Sequence, residues 1–508
     1  MVSTKRIVKS ASSNWLSYAI SVVVAFLISP YVVHQLGNLA YGVWSFVVSL
    51  ISFLGLLDFG LRGAVTRFVS RHHTEGNHEA AGKALSAAFW LRLWIGISVV
   101  LISLGFSFVI TRFIAIPKEL QFAARIAVLV AGSSFAISLT CGVFAGVLAA
   151  LHRFDLLSTV TILQTIIRAA GIVWLLRSGH GIVALALLEL VVISAANATL
   201  AFLCFRIYPQ LRLSFGRPDA DLLRSFWQYS SYVFMINVCY QLISYSDNLV
   251  VGAFVSVSAV TFYSIAGSLV DYLRQLVTAL TTTFMPLASS YEAENKDDGL
   301  RNLLIQGTRA ALCVSLPVEL ALCFRGSTFI GLWMGQSYAQ ISGHILQILV
   351  CSQFFTLANA TSGNIAYGIA KHRPVAWCVA IEAVVNLTLS ILLARKIGIY
   401  GVAWGTLIAS LGTHLVFWPV YICRILRVRL LTYLWQTWAY SAVCFLPFAL
   451  ACLLSDRFWK PTTLLQFFLQ IAAILPLFLV GTAMLFWNRV NPTLRARLNS
   501  LLHYRSSL

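Results

Sequence analysis

Fourteen stretches of about twenty or more mostly apolar residues follow one another along this chain, with short polar breaks between them. A bilayer needs about 20 such residues for each helical crossing. Lipid offers no partner to a backbone N–H or C=O, so runs of this kind must satisfy their hydrogen bonds internally, as helices. They fall at about 13–33, 41–61, 84–110, 122–150, 156–176, 182–204, 226–250, 258–286, 303–324, 341–369, 375–394, 401–422, 432–454 and 463–487. The expected fold class is an all-α polytopic membrane protein with about 14 transmembrane helices. Charged residues make up only 10% of the 508, where a soluble domain carries about 25%. Pro317 is expected to interrupt the ninth helix, and 326–340 to dip into the interface.

A layout recurs within the series. One helix ends at His152-Arg153, another crosses, and a loop ends at Gly181. The same order returns with His372-Arg373 and Gly401, both 220 residues later. Near the amino terminus, Ala40-Tyr41-Gly42-Val43-Trp44-Ser45 matches Ala259-Val260-Thr261-Phe262-Tyr263-Ser264 at an offset of 219. Two parallel six-helix repeats account for this, an arrangement that transporters use. The expected domains are an N-lobe at 1–207, a cytoplasmic linker at 208–225, a C-lobe at 226–425, and a helix pair with a basic tail at 426–508. The helix pair is rich in Phe, Leu and Trp without a central charge, and reads as a lipid-facing appendage.

The net charge of +19 suggests nucleic acid until it is mapped. With a cytoplasmic start and fourteen crossings, Lys5, Arg6, Lys9, Arg67, Arg71, Arg206, Arg212, Arg424 and Arg427 share the inner face, whereas the outer face holds few, Arg112, Lys118 and Arg325 among them. That bias places both termini in the cytoplasm and removes the case for a nucleic-acid partner. The ten cysteines lie in or at the ends of apolar helices with no C-x-x-C, and read as small buried residues. His72, His73 and His78 lack carboxylate or Cys partners at ligand spacing, so no metal site and no cofactor is expected. Asp219 and Asp221 follow Pro218 and read as helix caps. No nucleotide-binding loop occurs. The outer loops, about sixteen residues or fewer, hold no paired acids, so no catalytic residues are expected.

Charges inside apolar helices are costly and point to function. Arg168 sits in the fifth helix, Glu189 in the sixth, Asp271 and Arg274 in the eighth, Arg309 and Glu319 in the ninth, and Glu382 in the eleventh. Mutual pairing across or along helices is the plain alternative for each. Asp58 ends the second helix, either as partner of Arg62 or as part of a gate.

The Leu-Gly-x-x-x-Tyr-Gly segment at 36–42, the helix ending Leu57-Asp58-Phe59-Gly60-Leu61 and the Arg-containing segment after it resemble the opening of the Wzx-type polysaccharide flippases. That family belongs to the superfamily of the lipid II flippase and the MATE drug exporters. The likeness is strongest over about 1–75 and extends as a hydropathy pattern along the whole chain. It implies two six-helix lobes around a cationic cavity, and a substrate of oligosaccharide on undecaprenyl pyrophosphate, flipped across the bacterial inner membrane for polysaccharide biosynthesis. This chain lacks the first-helix arginine of the lipid II flippase, which leaves Arg274, with Arg168 and Arg309, for the anion. Asn14, Tyr18, Trp44, Tyr240, Tyr245 and Asn248 are candidates for the polar and aromatic walls a sugar needs. Asp271, Glu189, Glu319 and Glu382 are candidates for coupling to H⁺ or Na⁺. Polysaccharide polymerase and ligase machinery are the partners such a role implies. The alternatives are a cation-coupled multidrug exporter of the same fold and a membrane polysaccharide-assembly enzyme.

Overall fold

The computed structural model describes residues 4–58, 61–213 and 220–486. Every regular element among them is helical. In chain order they are α1 Thr4–Phe53, α2 Leu61–Thr74, α3 His78–Phe113, α4 Lys118–Ala150, α5 Phe154–Arg177, α6 Ile182–Ile207, α7 Ala220–Phe254, α8 Val257–Thr281, α9 Phe284–Ala293 and α10 Asp297–Trp333. There follow α11 Gln336–Ala358, α12 Ala360–Gly368, α13 Arg373–Ile397, α14 Ile399–Ser410, α15 Trp418–Leu426, α16 Leu430–Leu434, α17 Tyr440–Phe458 and α18 Leu464–Phe486. Eleven stretches of the described residues are long and apolar enough to cross a membrane. The chain is a multi-pass membrane protein.

It divides into two compact units. One comprises Met1–Ile265 and Val375–Thr406, the other Ala266–Pro374 and Leu407–Leu508.

In the first unit, α1 would be about 75 Å long if straight, far more than the ~30 Å of a hydrocarbon core. It is broken at Gly37, where φ is 72° and ψ 167°, a conformation that glycine adopts freely. The break frees backbone groups, and Thr261 Oγ1 donates to the carbonyl of Asn38 at 2.7 Å. Five residues on, Gly42 lies so close to the carbonyl oxygen of Val257 that no Cβ fits between them. The Leu-Gly-x-x-x-Tyr-Gly spacing therefore has a mechanical basis: one glycine turns the chain and the other admits a neighbouring backbone. The second half of α1 was expected to reach 61. It ends at Phe53, followed by a short 3₁₀ turn at Leu54–Asp58, because Gln241 Nε2 donates to the Ser52 carbonyl at 3.2 Å and satisfies the end of the helix. α3 starts at His78 rather than about 84, since Asn77 Oδ1 caps it through Ala80 N at 2.9 Å.

Helix bounds recur along the chain. α3 and α10 start 219 residues apart, at 78 and 297. α4 and α11 start 218 apart, at 118 and 336, and α5 and α13 start 219 apart, at 154 and 373. His152 and Ala370, which follow the ends of α4 and α12, both have positive φ, of 56° and 54°.

In the second unit two expectations change. Pro317 does not interrupt its helix: α10 runs through it unbroken to Trp333, as packed membrane helices allow when neighbours absorb the lost bond. The stretch 326–340 is the last two turns of α10, a turn at Gly335 (φ 112°) and the start of α11. The unbroken span expected at 341–369 is broken at Asn359, whose Nδ2 donates to the carbonyls of Phe355 (2.8 Å) and His414 (2.7 Å). His414 lies in a π-helical stretch, Leu411–Phe417; a second runs over Trp435–Ala439.

The pair α17 and α18 is not a mere appendage. Arg325 of α10, expected in an outer loop, is 1% exposed. Its guanidinium pairs with Asp456 at 2.9 Å, donates to Gln470 Oε1 at 2.7 Å and to Ser455 Oγ, and lies 5.6 Å from the Phe467 ring. Its partners therefore lie on both helices of the pair.

Candidate functional site

The most developed polar cluster of the first unit sits in otherwise apolar helices. Asp247 of α7 is 6% exposed. Its Oδ2 accepts from Tyr263 Oη of α8 at 2.6 Å and from Thr406 Oγ1 of α14 at 2.9 Å. Thr406 Oγ1 in turn accepts from Asn386 Nδ2 of α13 at 3.1 Å. It also lies 3.2 Å from the Val402 carbonyl, so its single proton can serve only one of two acceptors at a time. Asp247 Oδ1 and Asn386 Oδ1 receive no hydrogen bond. Glu382, one helical turn before Asn386 on α13, is 5% exposed. One turn of chemistry away, Asn248 Nδ2 donates to Ser49 Oγ at 3.0 Å and Ser264 Oγ to Asn248 Oδ1 at 3.4 Å. The cluster thus gathers a carboxylate, an amide oxygen and hydroxyls with two oxygens unsatisfied. Such a group has the chemistry to take up a small cation or a proton, because a buried acceptor without a donor is otherwise expensive. Among the described residues no three His, Cys, Asp or Glu are arranged to hold a metal.

Asp247 escaped the sequence reading. The seventh helix is expected from the sequence to end at about 250, three residues beyond Asp247. It runs to Phe254, so the acid lies about two turns inside. Arg92 was missed as well: it is 2% exposed within α3, where Nη1 donates to the Leu139 carbonyl at 2.8 Å. Gly142 makes room for it, since a Cβ there would stand 2.8 Å from Nη1.

The expected site residues are distributed as follows. Arg168 and Glu189 form an ion pair at 2.9 Å between α5 and α6, with side chains 38% and 26% exposed. Arg274 Nη2 donates to Asp271 Oδ1 at 2.6 Å within α8, the side chains 37% and 49% exposed. Arg309 of α10 donates from Nε to the Gln436 carbonyl at 2.8 Å, in the second π-helical stretch, and lies 5.1 Å over the Tyr440 ring. Glu319 of α10 is 3% exposed. Asn248 and Glu382 belong with the cluster already described. Tyr245 meets Phe53 edge-on at 6.5 Å, Tyr240 is exposed, and Tyr18 is half-buried on α1. Trp44 packs into an apolar cluster with Val32, Leu176 and Leu185. The side chains of Asn14 and Asp58 lie outside the described residues, as do those of Asp219 and Asp221 and the tail from Arg489.

The histidines do have a carboxylate among them. His72 Nδ1 lies 3.1 Å from Glu75 Oε2, and Arg71 Nε 2.9 Å from Oε1. Those contacts, Arg71 first, hold the Glu75 carboxyl below its usual range. His78 Nδ1 meets Tyr208 Oη at 2.6 Å, and the His73 ring faces the same tyrosine.

Comparison with known proteins gives a consistent picture. The model of a family described as polysaccharide biosynthesis protein matches residues 34–343. The chain is 22% identical to the uncharacterized membrane protein EpsK of Bacillus subtilis, over 82% of each chain. It is 22% identical to a probable low-salt glycan biosynthesis flippase of Haloferax volcanii, over 80% of this chain and 81% of that one. Among solved structures, the inward closed conformation of the lipid II flippase MurJ superposes with a TM-score of 0.73 at 15% identity. The match covers 95% of this chain and all of that one.

Proposed function

Because this chain belongs to the polysaccharide biosynthesis protein family, we propose that it flips a lipid-linked oligosaccharide across the bacterial inner membrane. The cargo in this reading is an oligosaccharide on undecaprenyl pyrophosphate, moved by alternating access for surface polysaccharide assembly, with no catalysis by the chain itself. The names of the flippase relative and of the lipid II flippase neighbour support this substrate class. Fourteen crossings follow if the break at Gly37 divides α1 into two and α7 and α8 join the other ten. The helix bounds that recur at 218–219 residues support two parallel lobes, 1–207 and 226–425, with the linker 208–225 and the pair at 426–508 outside them. Both termini then lie in the cytoplasm.

The observation that carries the reading is the Arg274–Asp271 pair. Two charged side chains, each more than a third exposed, stand near the middle of a 25-residue helix. Charges exposed at that depth face water or substrate, because lipid would not solvate them. A pyrophosphate carries more charge than one carboxylate and matches the planar fork of an arginine. It displaces Asp271 when it arrives. Arg274→Gln is expected to abolish polymer export, by about 100-fold if one charge-assisted contact of roughly 3 kcal/mol is lost, with membrane insertion unchanged. Arg274→Lys retains part of the activity, and Asp271→Asn is milder than Arg274→Gln. Export by Arg274→Gln at the wild-type rate would remove the anion contact from this residue. A drug exporter of the same fold would leave polymer export intact when the gene is deleted, and lose drug resistance instead.

The Asp247 cluster is the coupling site in this scheme. A cation, H⁺ or Na⁺, takes the unsatisfied Asp247 Oδ1 and Asn386 Oδ1, and Thr406 turns its proton toward the Val402 carbonyl as the carboxylate charge is shared. Asp247→Asn keeps the shape and removes the charge. It is expected to leave substrate binding within about twofold and to make transport in vesicles insensitive to an imposed Na⁺ or pH gradient. Undiminished gradient dependence in that variant would place coupling elsewhere.

A further inference from the structure

Glu319 belongs to neither of these sites. It is on α10, in the second unit, and 3% exposed. Neither of its carboxylate oxygens has a hydrogen-bond partner within 3.5 Å. The hydroxyl of Ser315, one helical turn earlier on the same face, is 0% exposed and likewise has none within that distance, and it acts on the Glu319 carboxyl as a donor from further off. Between them stands Pro317, which has no N–H, so the carbonyl of Cys313 lacks its usual helical donor. The neighbouring positions are apolar: Leu316 and Leu320 belong to a cluster with Phe354 and Phe355 of α11. The titratable groups that face Glu319 are Cys351 of α11 and Cys323, one turn further along α10. No cation pairs with it among the described residues.

We propose that Glu319, with Ser315, is a reversible proton site in the second unit, separate from the Asp247 cluster. Two carboxylate oxygens and one hydroxyl share one apolar place; the single hydrogen of Ser315 points to the carboxyl and cannot serve both of its oxygens, so one proton completes the arrangement: it bonds to one Glu319 oxygen, and Ser315 donates to the other or accepts from the acid hydroxyl. A metal ion fits less well. Hard cations take about six oxygens, and this place offers two from Glu319, one from Ser315 and the carbonyl of Cys313. Cys351 is exposed, so the neighbourhood of the carboxyl reaches the surface of the unit. The assignment does not depend on what the protein carries, because proton uptake is read on the resting protein without substrate.

The test is infrared difference spectroscopy of the full chain in lipid nanodiscs, between acidic and alkaline buffer free of Na⁺. A carboxylic-acid C=O band is expected that titrates, moves when glutamate is ¹³C-labelled, and stays put when aspartate is labelled. It should be lost in Glu319→Gln, shifted in Ser315→Ala and kept in Asp247→Asn. Labelling on the wild-type chain keeps the test decisive where Glu319→Gln fails to insert, since Ser315→Ala must still move the glutamate band. The proposal is overturned by any of three results: no glutamate band, a glutamate band indifferent to both Glu319→Gln and Ser315→Ala, or a band that does not change between the two buffers. Disappearance of the acid band on adding Na⁺ at constant pH would also overturn it, in favour of a sodium site.

Discussion

Gly42→Ala is expected to leave little folded protein in the membrane. The added Cβ meets the carbonyl oxygen of Val257, a backbone atom, and then Thr261 Oγ1 at 3.3 Å. A side chain in the way can swing aside, but a backbone carbonyl moves only with its helix. Overpacking of a tight core costs roughly 1–3 kcal/mol; a clash with backbone sits at the top of that range. The displacement also pulls Thr261 from the Asn38 carbonyl, which it holds at 2.7 Å beside the break in α1. With native stabilities of about 5–15 kcal/mol, losing both contacts is severe. Monodisperse recovery after detergent extraction, and the midpoint of thermal unfolding, measure it. Gly105→Ala is the control, because nothing lies within 4 Å of a Cβ there. If Gly42→Ala were as well recovered as Gly105→Ala, the close approach would have no energetic weight.

The second large effect is expected at the clamp on the carboxy-terminal helices. Arg325→Met strips Gln470 Oε1 of its donor and empties the place between α10, α17 and α18. Gln470→Leu leaves Arg325 short of an acceptor and also frees the carbonyls of Ser455 and Trp459, which Gln470 Nε2 holds at 3.1 and 2.7 Å. Each buried group left unsatisfied costs about 1–3 kcal/mol, so each single change should cost about 2–3 kcal/mol by the same reckoning. The pair should not add: with both polar partners gone, the double variant should lose well under the sum of the two. Asp456→Asn should be mild by comparison, because Asp456 is 40% exposed and its share of the pair is screened. Thermal unfolding in one detergent, read by fluorescence, gives the cycle. Strict additivity would mean that Arg325 and Gln470 act on stability separately.

The apolar runs made the fold class legible, because hydrocarbon leaves a backbone only one economical solution. Their ends were less so. The early stop of α1 at Phe53 depends on Gln241, nearly two hundred residues away, and no local pattern carries that. The intramembrane charges were legible singly, and the Arg274–Asp271 and Arg168–Glu189 contacts follow spacings or neighbourhoods that sequence can suggest. Asp247 was lost through a helix end misplaced by four residues, and Arg325 through a loop that is in fact helix. Longer windows around Tyr245-Ser246-Asp247-Asn248 would have found the first, since the apolar run resumes at Leu249-Val250-Val251. Nothing in the sequence distinguishes Gln470 from any other polar residue in an apolar helix. Its role rests on a partner that folding supplies.

A π-helical turn is an α-helix carrying one residue more than its neighbours need. Leu411–Phe417 and Trp435–Ala439 are two such places in this chain. One extra residue turns everything beyond it by about 100° and so aims the rest of the helix face elsewhere. The carbonyls of His414 and Gln436, inside those stretches, accept from Asn359 Nδ2 and Arg309 Nε. Each wide turn is thereby held by a polar side chain of another helix.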